Sequence, residues 1–539
     1  MSRLFLLLLL LLALFAGWSV WYATPAGLGL TNDSAAYLGG ARSILAGTGY
    51  SDIWLDSTLE AITHYPPLLS LTLSLLSRLS GLDPYRTARV LHILLFSANT
   101  VLMGWLGWRL SASQTWGRLG IALFPAFLFA TNADLLRIHA QVLSEPLFLF
   151  FSLLAFLTFD VALQRSPNPA FGSPLTAPAS PINAHRSLIT DYGLWTTGFL
   201  TGLAFLTRYS GLALIATFLI AIFLLSPTLR RKQTLLFLAG VIPPVAGWLL
   251  RNALVADSVT NRTVHFNPIE LSNIRTGLWN VAHFLSPLPG LAEWLFGSGL
   301  LQILLILFGV GLLGWLSHRA WMARQDTSAL AFTTALYVFG YLGAVLFSMS
   351  FFDASTKFQP RILAPLYVSW MLLLTAGLSA LIGQNHLRLA LAGALTLMAV
   401  VFSGFGISRE ITSLRAMDGL GYASWRWRQA EVMAYLRRLP PEIAIYTNSP
   451  PAVYHVTGRA SRVIPSTLDP VSGLPRRDYE QTLAEMRAEL LAGRAVLALF
   501  EVSSLEEAFG EQVALQFKGL PLLLKAQGHV LYGNVEINK

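Results

Sequence analysis

Residues 4–23 read LFLLLLLLLALFAGWSVWYA, a stretch that contains no charged side chain. A helix of about 20 apolar residues spans about 30 Å, which matches the hydrocarbon core of a bilayer. Arg3 precedes the stretch, and the apolar run continues through Trp18 and Trp21 without a clean small-x-small cleavage site. We therefore predict an uncleaved membrane anchor, with a cleaved signal peptide as the alternative.

The composition of the whole chain agrees with a membrane location. Of its 539 residues, 54% are hydrophobic and only 12% are charged, whereas soluble proteins carry roughly 25% charged residues. The net charge of +9 does not indicate nucleic-acid binding, because long uncharged runs separate the basic residues. The chain has no cysteine, which excludes disulfides, zinc–thiolate sites and thiol catalysis. A polytopic membrane protein with a soluble appendage is expected.

Charged residues are concentrated at the C-terminal end of the chain. Residues 1–406 hold 22 Lys and Arg and 14 Asp and Glu, whereas the 133 residues of 407–539 hold 15 and 14. This shift predicts a membrane domain over 1–406 and a soluble domain over 407–539. In the second domain, helical patterns at 424–438, 451–457 and 478–492 alternate with strand patterns at 443–447, 461–465, 495–500 and 530–535. The alternation predicts a small α/β domain.

Eleven membrane spans are predicted by the uncharged runs. After 4–23 they fall at 90–108, 119–133, 146–159, 190–207, 209–229, 233–250, 294–317, 327–350, 362–384 and 389–407. The segment 65–80 is short and is predicted to be a juxtamembrane helix that lies in the interface. If it does not span, the arginines at 109, 118, 230, 231, 319 and 388 all fall in cytoplasmic loops, as the positive-inside rule requires. The N-terminus is then cytoplasmic and the C-terminal domain extracytoplasmic.

The loops on the two predicted sides differ in their polar residues. The cytoplasmic loop 163–189 is rich in Pro, Ser, Asn and Ala and is predicted to be a flexible connector. The outer segments 24–88, 132–145, 251–293 and 351–361 carry clustered ionisable side chains. Such groups are costly at a membrane face unless they are used or solvated, so they indicate a functional site there. A transporter would place charges near the bilayer midplane, and it is kept as the alternative class.

Short motifs in these outer segments follow one order along residues 1–406. They are Asn32-Asp33-Ser34-Ala35-Ala36-Tyr37, Ala41-Arg42, Gly49-Tyr50, His64-Tyr65-Pro66-Pro67-Leu68, Ser144-Glu145-Pro146-Leu147, Arg208-Tyr209, Arg251-Asn252 and Arg361-Ile362-Leu363-Ala364-Pro365. In this order, and on one predicted side of the membrane, they resemble the GT-C superfamily of membrane glycosyltransferases. The bacterial protein O-mannosyltransferase-like and aminoarabinose-transferase-like group is the nearest in appearance. The resemblance implies an all-α membrane domain in a bacterial-type inner membrane.

The resemblance also implies an activity and roles for particular residues. The donor is expected to be a polyprenyl-phosphate-linked sugar, transferred with inversion to a protein, lipid or glycan acceptor. Asp33 matches the acidic residue that acts as catalytic base, and Glu145 is the candidate for a second carboxylate because Ser34 stands where many relatives have one. The candidates for the donor phosphate are Arg208, Arg251, Arg361 and Lys357. The candidates that line the site are Tyr37, His64, Tyr65 and Tyr209.

These roles are chemically reasonable, and each has an alternative. A carboxylate can take the proton of a hydroxyl nucleophile, and arginines can stabilise a leaving phosphate with charge-assisted hydrogen bonds. Asp33 is alternatively the N-cap of a juxtamembrane helix, and the arginines are alternatively interface residues that extend to the headgroups. A divalent metal is an open alternative, with His64, Glu145 and His265 as candidate ligands, but their spacing forms no ligand signature.

Overall fold

The computed structural model describes residues 3–55, 60–111, 117–163, 181–226, 229–256, 264–285, 299–323, 329–353, 356–381, 386–468, 475–502, 517 and 519–535. The chain divides into two compact units. The first unit comprises Met1–Ala23, Val90–His139 and Ser144–Thr412, and the second comprises Thr24–Arg89, Ala140–Leu143 and Ser413–Lys539. The domain boundary that we predict at 406/407 stays a prediction.

Helices make up most of the described chain. The first group runs α1 Arg3–Ala23, α2 Asn32–Leu45, α3 Leu68–Ser80, α4 Pro84–Leu110, α5 Gly117–Thr131, α6 Ala133–His139, α7 Glu145–Ala162 and α8 Pro181–Thr207. The next group runs α9 Gly211–Leu225, α10 Arg230–Val255, α11 Leu271–Leu285, α12 Gly299–Ala323, α13 Leu330–Phe351, α14 Pro360–Leu381 and α15 His386–Ala416. Most of the predicted flexible connector, 164–180, lies outside the described residues.

Seven of the described helices are long and apolar enough to cross a membrane. They are α1, α4, α7, α10, α13, α14 and α15. The helices α5 and α6 meet at a 59° bend and form an eighth span if they are counted as one. Each predicted span overlaps a helix over its described residues, but the count of eleven stays a prediction because α8, α9 and α12 are not among the helices counted above. The short helix predicted at 65–80 is present as α3, with 13 residues.

The helices α8 and α10 of the first unit approach each other closely at glycines. A Cβ on Gly198 would collide with the Phe237 carbonyl oxygen, and a Cβ on Gly240 would collide with the Trp195 carbonyl oxygen. Gly198 and Gly202 have the small-xxx-small spacing that lets helix backbones approach within membranes. The packing sets α8 and α10 side by side in the same direction, which positions the arginines near their C-terminal ends.

In the first unit, an ion pair near the C-terminal end of α7 joins three helices. Arg109 of α4 donates from Nε to Asp160 Oδ2 at 2.6 Å, and the backbone N–H of Leu330 donates to Asp160 Oδ1 at 3.1 Å. The Asp160 side chain is fully buried. Because every oxygen of the carboxylate has a donor, this group is accounted for by the packing of α4, α7 and α13.

The second unit contains a small α/β sheet, as predicted. Its elements are α16 Trp425–Arg428, α17 Glu431–Arg438, β1 Ala444–Thr447, α18 Pro450–Thr457, β2 Arg462–Val463, α19 Tyr479–Leu491, β3 Ala495–Leu499, β4 Leu522–Ala526 and β5 His529–Gly533. The strand order is β2-β1-β3-β5-β4, with β1 parallel to β2 and β3, and β5 antiparallel to β3 and β4. The helix predicted at 424–438 is interrupted at Ala430, whose backbone is extended.

Candidate active site

Asp33 lies in the first turn of α2, in the second unit. The N-cap of this helix is Thr31, so the interpretation of Asp33 as the cap is wrong. The carboxylate is half-buried and accepts a hydrogen bond from the Tyr65 hydroxyl, with 3.2 Å between Oη and Oδ1. A carboxylate in the first turn is stabilised by the helix dipole. Asp33 is therefore held as an oriented group instead of serving as the helix cap.

Two further predicted residues surround the tyrosine that contacts Asp33. The Tyr65 ring lies 5.4 Å from the Tyr37 ring and 4.9 Å from the His64 ring, measured between centroids, and both pairs are edge-to-face. Tyr37 is buried, with 3% of its surface exposed. The structure thus brings together Asp33 and three of the four residues that we expected to line the site.

Ser34 stands where the sequence resemblance implies a second acidic residue, and its surroundings favour a hydroxyl over a carboxylate. Its side chain is fully buried. Ser34 Oγ accepts the Thr31 backbone N–H at 2.9 Å and donates to the Val142 carbonyl oxygen at 2.9 Å. A carboxylate has no proton to donate to that carbonyl. The two hydrogen bonds therefore explain why serine, and not an acidic residue, occupies position 34.

The last turn of α2 carries an arginine that forms an ion pair. Arg42 donates from Nε and Nη2 to the two carboxylate oxygens of Asp83, both at 3.1 Å, and from Nη1 to the Tyr454 hydroxyl at 3.2 Å. Burial opposes ionisation of Asp83, but the hydrogen bonds from Arg42 and from the Tyr85 backbone outweigh it and lower the pKa of Asp83. Arg42 thus links α2 to α18 and to the start of α4.

Glu145 and Arg208 form an ion pair inside the first unit. Arg208 Nη1 lies 2.6 Å from Glu145 Oε1, and the side chains are 18% and 2% exposed. The same Nη1 donates to Ser144 Oγ at 3.2 Å. The sequence resemblance implies separate roles for these two residues, as a catalytic carboxylate and as a phosphate ligand. The structure shows that they share one charge-neutral pair at the start of α7.

Tyr209 and Arg251 gather around Trp248 in the same unit. The indole N–H of Trp248 donates to the Tyr209 hydroxyl at 3.0 Å. The Arg251 guanidinium lies 5.2 Å from the Trp248 ring centroid and donates to Asn252 Oδ1 at 2.9 Å. Because Tyr209 directly follows Arg208, two of the predicted arginines lie near the same cluster of side chains.

Arg361 and Lys357 flank the start of α14. Arg361 is half-buried in the first turn of that helix, whereas Lys357 is exposed in the preceding segment. Two asparagines of α11 hold this segment: Asn273 bonds to the Thr356 carbonyl and the Phe358 N–H, and Asn280 donates to the Phe358 carbonyl at 2.6 Å. These bonds fix the backbone of Thr356 and Phe358, the residues on either side of Lys357.

The three candidate metal ligands are not brought together. His64 belongs to the second unit, and Glu145 and His265 belong to the first. His265 is exposed, and Glu145 is paired with Arg208. Within the part of the chain that the structure describes, no group of three or more His, Asp or Glu side chains is placed to hold a metal ion.

Some neighbours of the predicted site residues were not themselves predicted to belong to the site, although Ser144 and Asn32 lie in the quoted motifs. Ser144 and Trp248 contact Arg208 and Tyr209, and Asn32 bonds to Tyr422, which lies nearly four hundred positions further on. Trp248 and Arg251 are three positions apart in α10, a spacing that places side chains on one helix face. That spacing is the sequence signal that could have added Trp248 to the predicted site.

Long apolar helices, short helices in the segment that follows α1 and a C-terminal α/β sheet are the elements of a fold that occurs in solved proteins. The chain shares this fold with the solved ArnT and AglB, which are of the GT-C type that the motifs resemble, and it is a multi-pass membrane protein. The resemblance predicted from the motifs is confirmed at the level of the fold. No family model and no curated protein matches the sequence.

Two solved proteins illustrate this likeness. ArnT from Cupriavidus metallidurans in the apo state matches with a TM-score of 0.59 at 12% identity, over 99% of this chain and 97% of ArnT. ArnT bound to undecaprenyl phosphate gives the same TM-score and identity, over 99% of both chains. The archaeal oligosaccharyltransferase AglB from Archaeoglobus fulgidus, in complex with an inhibitory peptide and a dolichol-phosphate, matches with a TM-score of 0.56 at 13% identity, over 96% of this chain and 72% of AglB.

Proposed function

We propose that the chain is an inverting glycosyltransferase that moves a sugar from a polyprenyl-phosphate donor to an acceptor on the extracytoplasmic face of a bacterial-type inner membrane. The observation that carries the proposal is Asp33, a carboxylate held by Tyr65 in the first turn of α2. It stands in the first segment after α1, in a chain with the GT-C fold. The solved ArnT binds undecaprenyl phosphate, and the solved AglB holds a dolichol-phosphate, which supports a lipid-phosphate donor for this chain.

In the proposed reaction Asp33 acts as the general base. It takes the proton of the acceptor nucleophile while that atom forms a bond to the anomeric carbon. The bond between the anomeric carbon and the phosphate oxygen breaks, and its electron pair leaves with the polyprenyl phosphate. Attack on the face opposite the leaving group inverts the configuration. No nucleotide is needed, because the donor arrives already activated.

Arginines of the first unit are proposed to stabilise the departing phosphate. Arg208, Arg251 and Arg361 are the candidates, since a guanidinium makes two charge-assisted hydrogen bonds to phosphate oxygens. The ion pair with Glu145 gives Arg208 a fixed orientation before the donor binds. We therefore assign Glu145 the role of holding Arg208, in preference to a second catalytic carboxylate. Lys357 is exposed and is the weaker phosphate candidate.

The placement of buried carboxylates favours this proposal over a transporter. Among the described residues, the buried acidic side chains are Glu145, Asp160 and Asp353. Glu145 begins α7, Asp160 lies near the end of α7, and Asp353 follows α13. A transporter is expected to carry ionisable groups near the middle of its spans, and none of these three occupies such a position.

Comparison of cell envelopes with and without the gene tests the proposal directly. Mass spectrometry of envelope glycans, lipids and glycoproteins should show that one sugar modification is lost when the chain is absent. The polyprenyl-phosphate-linked form of the same sugar should accumulate, because its consumer is missing. Unchanged glycans together with an unchanged pool of lipid-linked sugars would overturn the proposal.

A further inference from the structure

The segment that leads into α2 is clamped between two other parts of the second unit. On one side the Gly29 N–H donates to the Ala140 carbonyl at 2.8 Å, and the Val142 N–H donates to the Gly29 carbonyl at 3.0 Å. On the other side the Leu30 N–H donates to Leu420, at 3.0 Å, and Leu30 accepts from the Tyr422 N–H at 2.9 Å. Successive residues thus bond to opposite neighbours, as in the central strand of a sheet.

Two glycines make this clamp possible. A Cβ on Gly29 would lie 2.8 Å from both Gln141 Cγ and Leu420 Cβ. Gly421 has a φ of +61°, and a Cβ there would collide with the Leu30 carbonyl oxygen. A positive φ and such a close approach are both available to glycine and strained for other residues. The backbone around Leu420 and Gly421 can therefore approach the segment before Asp33 closely, because both contact points are glycines.

A side-chain bond continues the clamp to the residue next to Asp33. The Tyr422 hydroxyl donates to Asn32 Oδ1 at 2.6 Å and accepts from Ser449 Oγ at 3.3 Å. Asn32 is the first residue of α2, and Asp33 is the second. The Tyr422 ring stacks edge-to-face on Trp427 at 5.0 Å. Both rings pack on the core of the C-terminal sheet, so the hydroxyl is anchored to a rigid element.

His455 supports the same corner of the unit. Its ring is hydrogen-bonded to the backbone of Thr31, the N-cap of α2. It also lies near the Tyr422 ring, with 6.3 Å between the centroids. Burial, together with the nearby Arg42 charge, lowers the pKa of His455 to about 4, so the ring is neutral at physiological pH. The first turn of α2 thus has two supports from the C-terminal domain.

We propose that Tyr422 is a positioning residue for Asp33, and that the C-terminal domain is a working part of the catalytic unit because it holds the start of α2. This inference rests on the proposed function, in which Asp33 is the base. Misplacement of a catalytic group by about 1 Å costs about a hundredfold in rate. The loss of the Tyr422 bond should therefore slow the chemical step without weakening donor binding.

The test compares Tyr422→Phe with Tyr435→Phe in the full-length protein. Tyr435 packs on the same core cluster, so its variant is a matched loss of one hydroxyl. The purified variants are reconstituted with a total lipid extract from the deletion strain as donor and with envelopes of that strain as acceptor. Tyr422→Phe should lower kcat by about 10- to 100-fold with the KM for lipid-linked sugar unchanged, whereas Tyr435→Phe should stay near wild type.

A second variant approaches the same bond from the other side. Asn32 is exposed, so Asn32→Ala should fold normally and lower kcat by a similar factor. The double variant should be no slower than either single variant, because both remove one bond. Equal kcat for Tyr422→Phe and Tyr435→Phe, or a loss of kcat explained by a smaller folded fraction, overturns the inference.

The outcomes separate this inference from the proposed function. If the wild-type protein transfers no sugar in the assay, the proposed function fails. If the wild-type protein transfers sugar and Asp33→Asn does not, the function stands, and normal kcat in Tyr422→Phe then refutes the positioning role alone.

Discussion

The pair formed by Glu145 and Arg208 yields a quantitative prediction for Glu145→Gln. The Glu145 side chain is 2% exposed, and its Oε1 lies 2.6 Å from Arg208 Nη1. Removing one partner of a buried ion pair costs about 3–5 kcal/mol, since the other charge is left uncompensated. Ser144 Oγ still accepts from Arg208, so we expect the lower end, about 3 kcal/mol.

The assay is thermal unfolding of the purified protein followed by a transfer measurement. At about 2 °C per kcal/mol for a large domain, Glu145→Gln should lower Tm by roughly 6 °C. The double variant Glu145→Gln with Arg208→Gln should recover part of this loss because it leaves no unpaired charge. It should not recover transfer, because the phosphate has lost a guanidinium, a change that costs about 100-fold or more in kcat.

Asp160→Asn is the matched control on the same helix. Asp160 is also a buried carboxylate paired with an arginine, and it lies 15 positions after Glu145, or about 22 Å along α7. This variant should lose stability to a similar extent while the folded fraction transfers sugar at the normal rate. An unchanged Tm in Glu145→Gln, or normal transfer by the double variant, would refute the reasoning.

Three further predictions concern the second unit. Arg459 stabilises the loop before β1, since it donates to the carbonyl oxygens of Leu436, Leu439, Pro440, Pro441 and Ile443. Arg459→Ala should therefore lower the free energy of unfolding, measured by chemical denaturation, by about 3 kcal/mol. An unchanged free energy of unfolding would contradict this stabilising role. Burial and, to a smaller extent, the Glu60 charge raise the pKa of Asp52 to about 6, against the hydrogen bond from Trp54. The raised pKa penalises the ionised form, so stability falls as the pH rises from about 4 to about 6. Asp52→Asn should therefore raise Tm at pH 7 and leave it unchanged near pH 4, and an equal difference at both pH values would be inconsistent. Ser34→Asp, which restores an acidic pair, should lower both Tm and transfer because the bond to Val142 is lost; faster transfer would show that the position tolerates a second carboxylate.

The spans and the C-terminal sheet were predictable because each depends on a local pattern. An uncharged run of about 20 residues is long enough to cross a bilayer as a helix. A helix is favoured there because it satisfies all its backbone hydrogen bonds internally. In the soluble part, the apolar run Ala495–Leu499 forms the central strand β3, with every residue buried. The edge strand β4 escaped prediction because Leu522–Ala526 contains a lysine and has no clean alternation of burial.

The partners of the predicted site residues could not be read from the sequence. Glu145 begins α7 and Arg208 follows the end of α8, so the two residues are far apart in the sequence. Nothing in the local pattern around either residue shows that they pair. Asp33 was assigned correctly to a helix start, but Thr31 takes the cap because Ser34, three residues later, completes the capping hydrogen bond. The contact of Asn32 with Tyr422 joins distant parts of the chain, and only the tertiary fold creates it.

The most direct test of the account is the transfer rate of Asp33→Asn, measured against Asp83→Asn in the same reconstituted assay. Asp83 belongs to the same unit but pairs with Arg42. Loss of a general base costs about 100- to 10,000-fold, so Asp33→Asn should lose transfer by this factor while it inserts into membranes normally. Asp83→Asn should remain close to wild type. Near-normal turnover by Asp33→Asn would contradict the assignment of the catalytic base and the mechanism built on it.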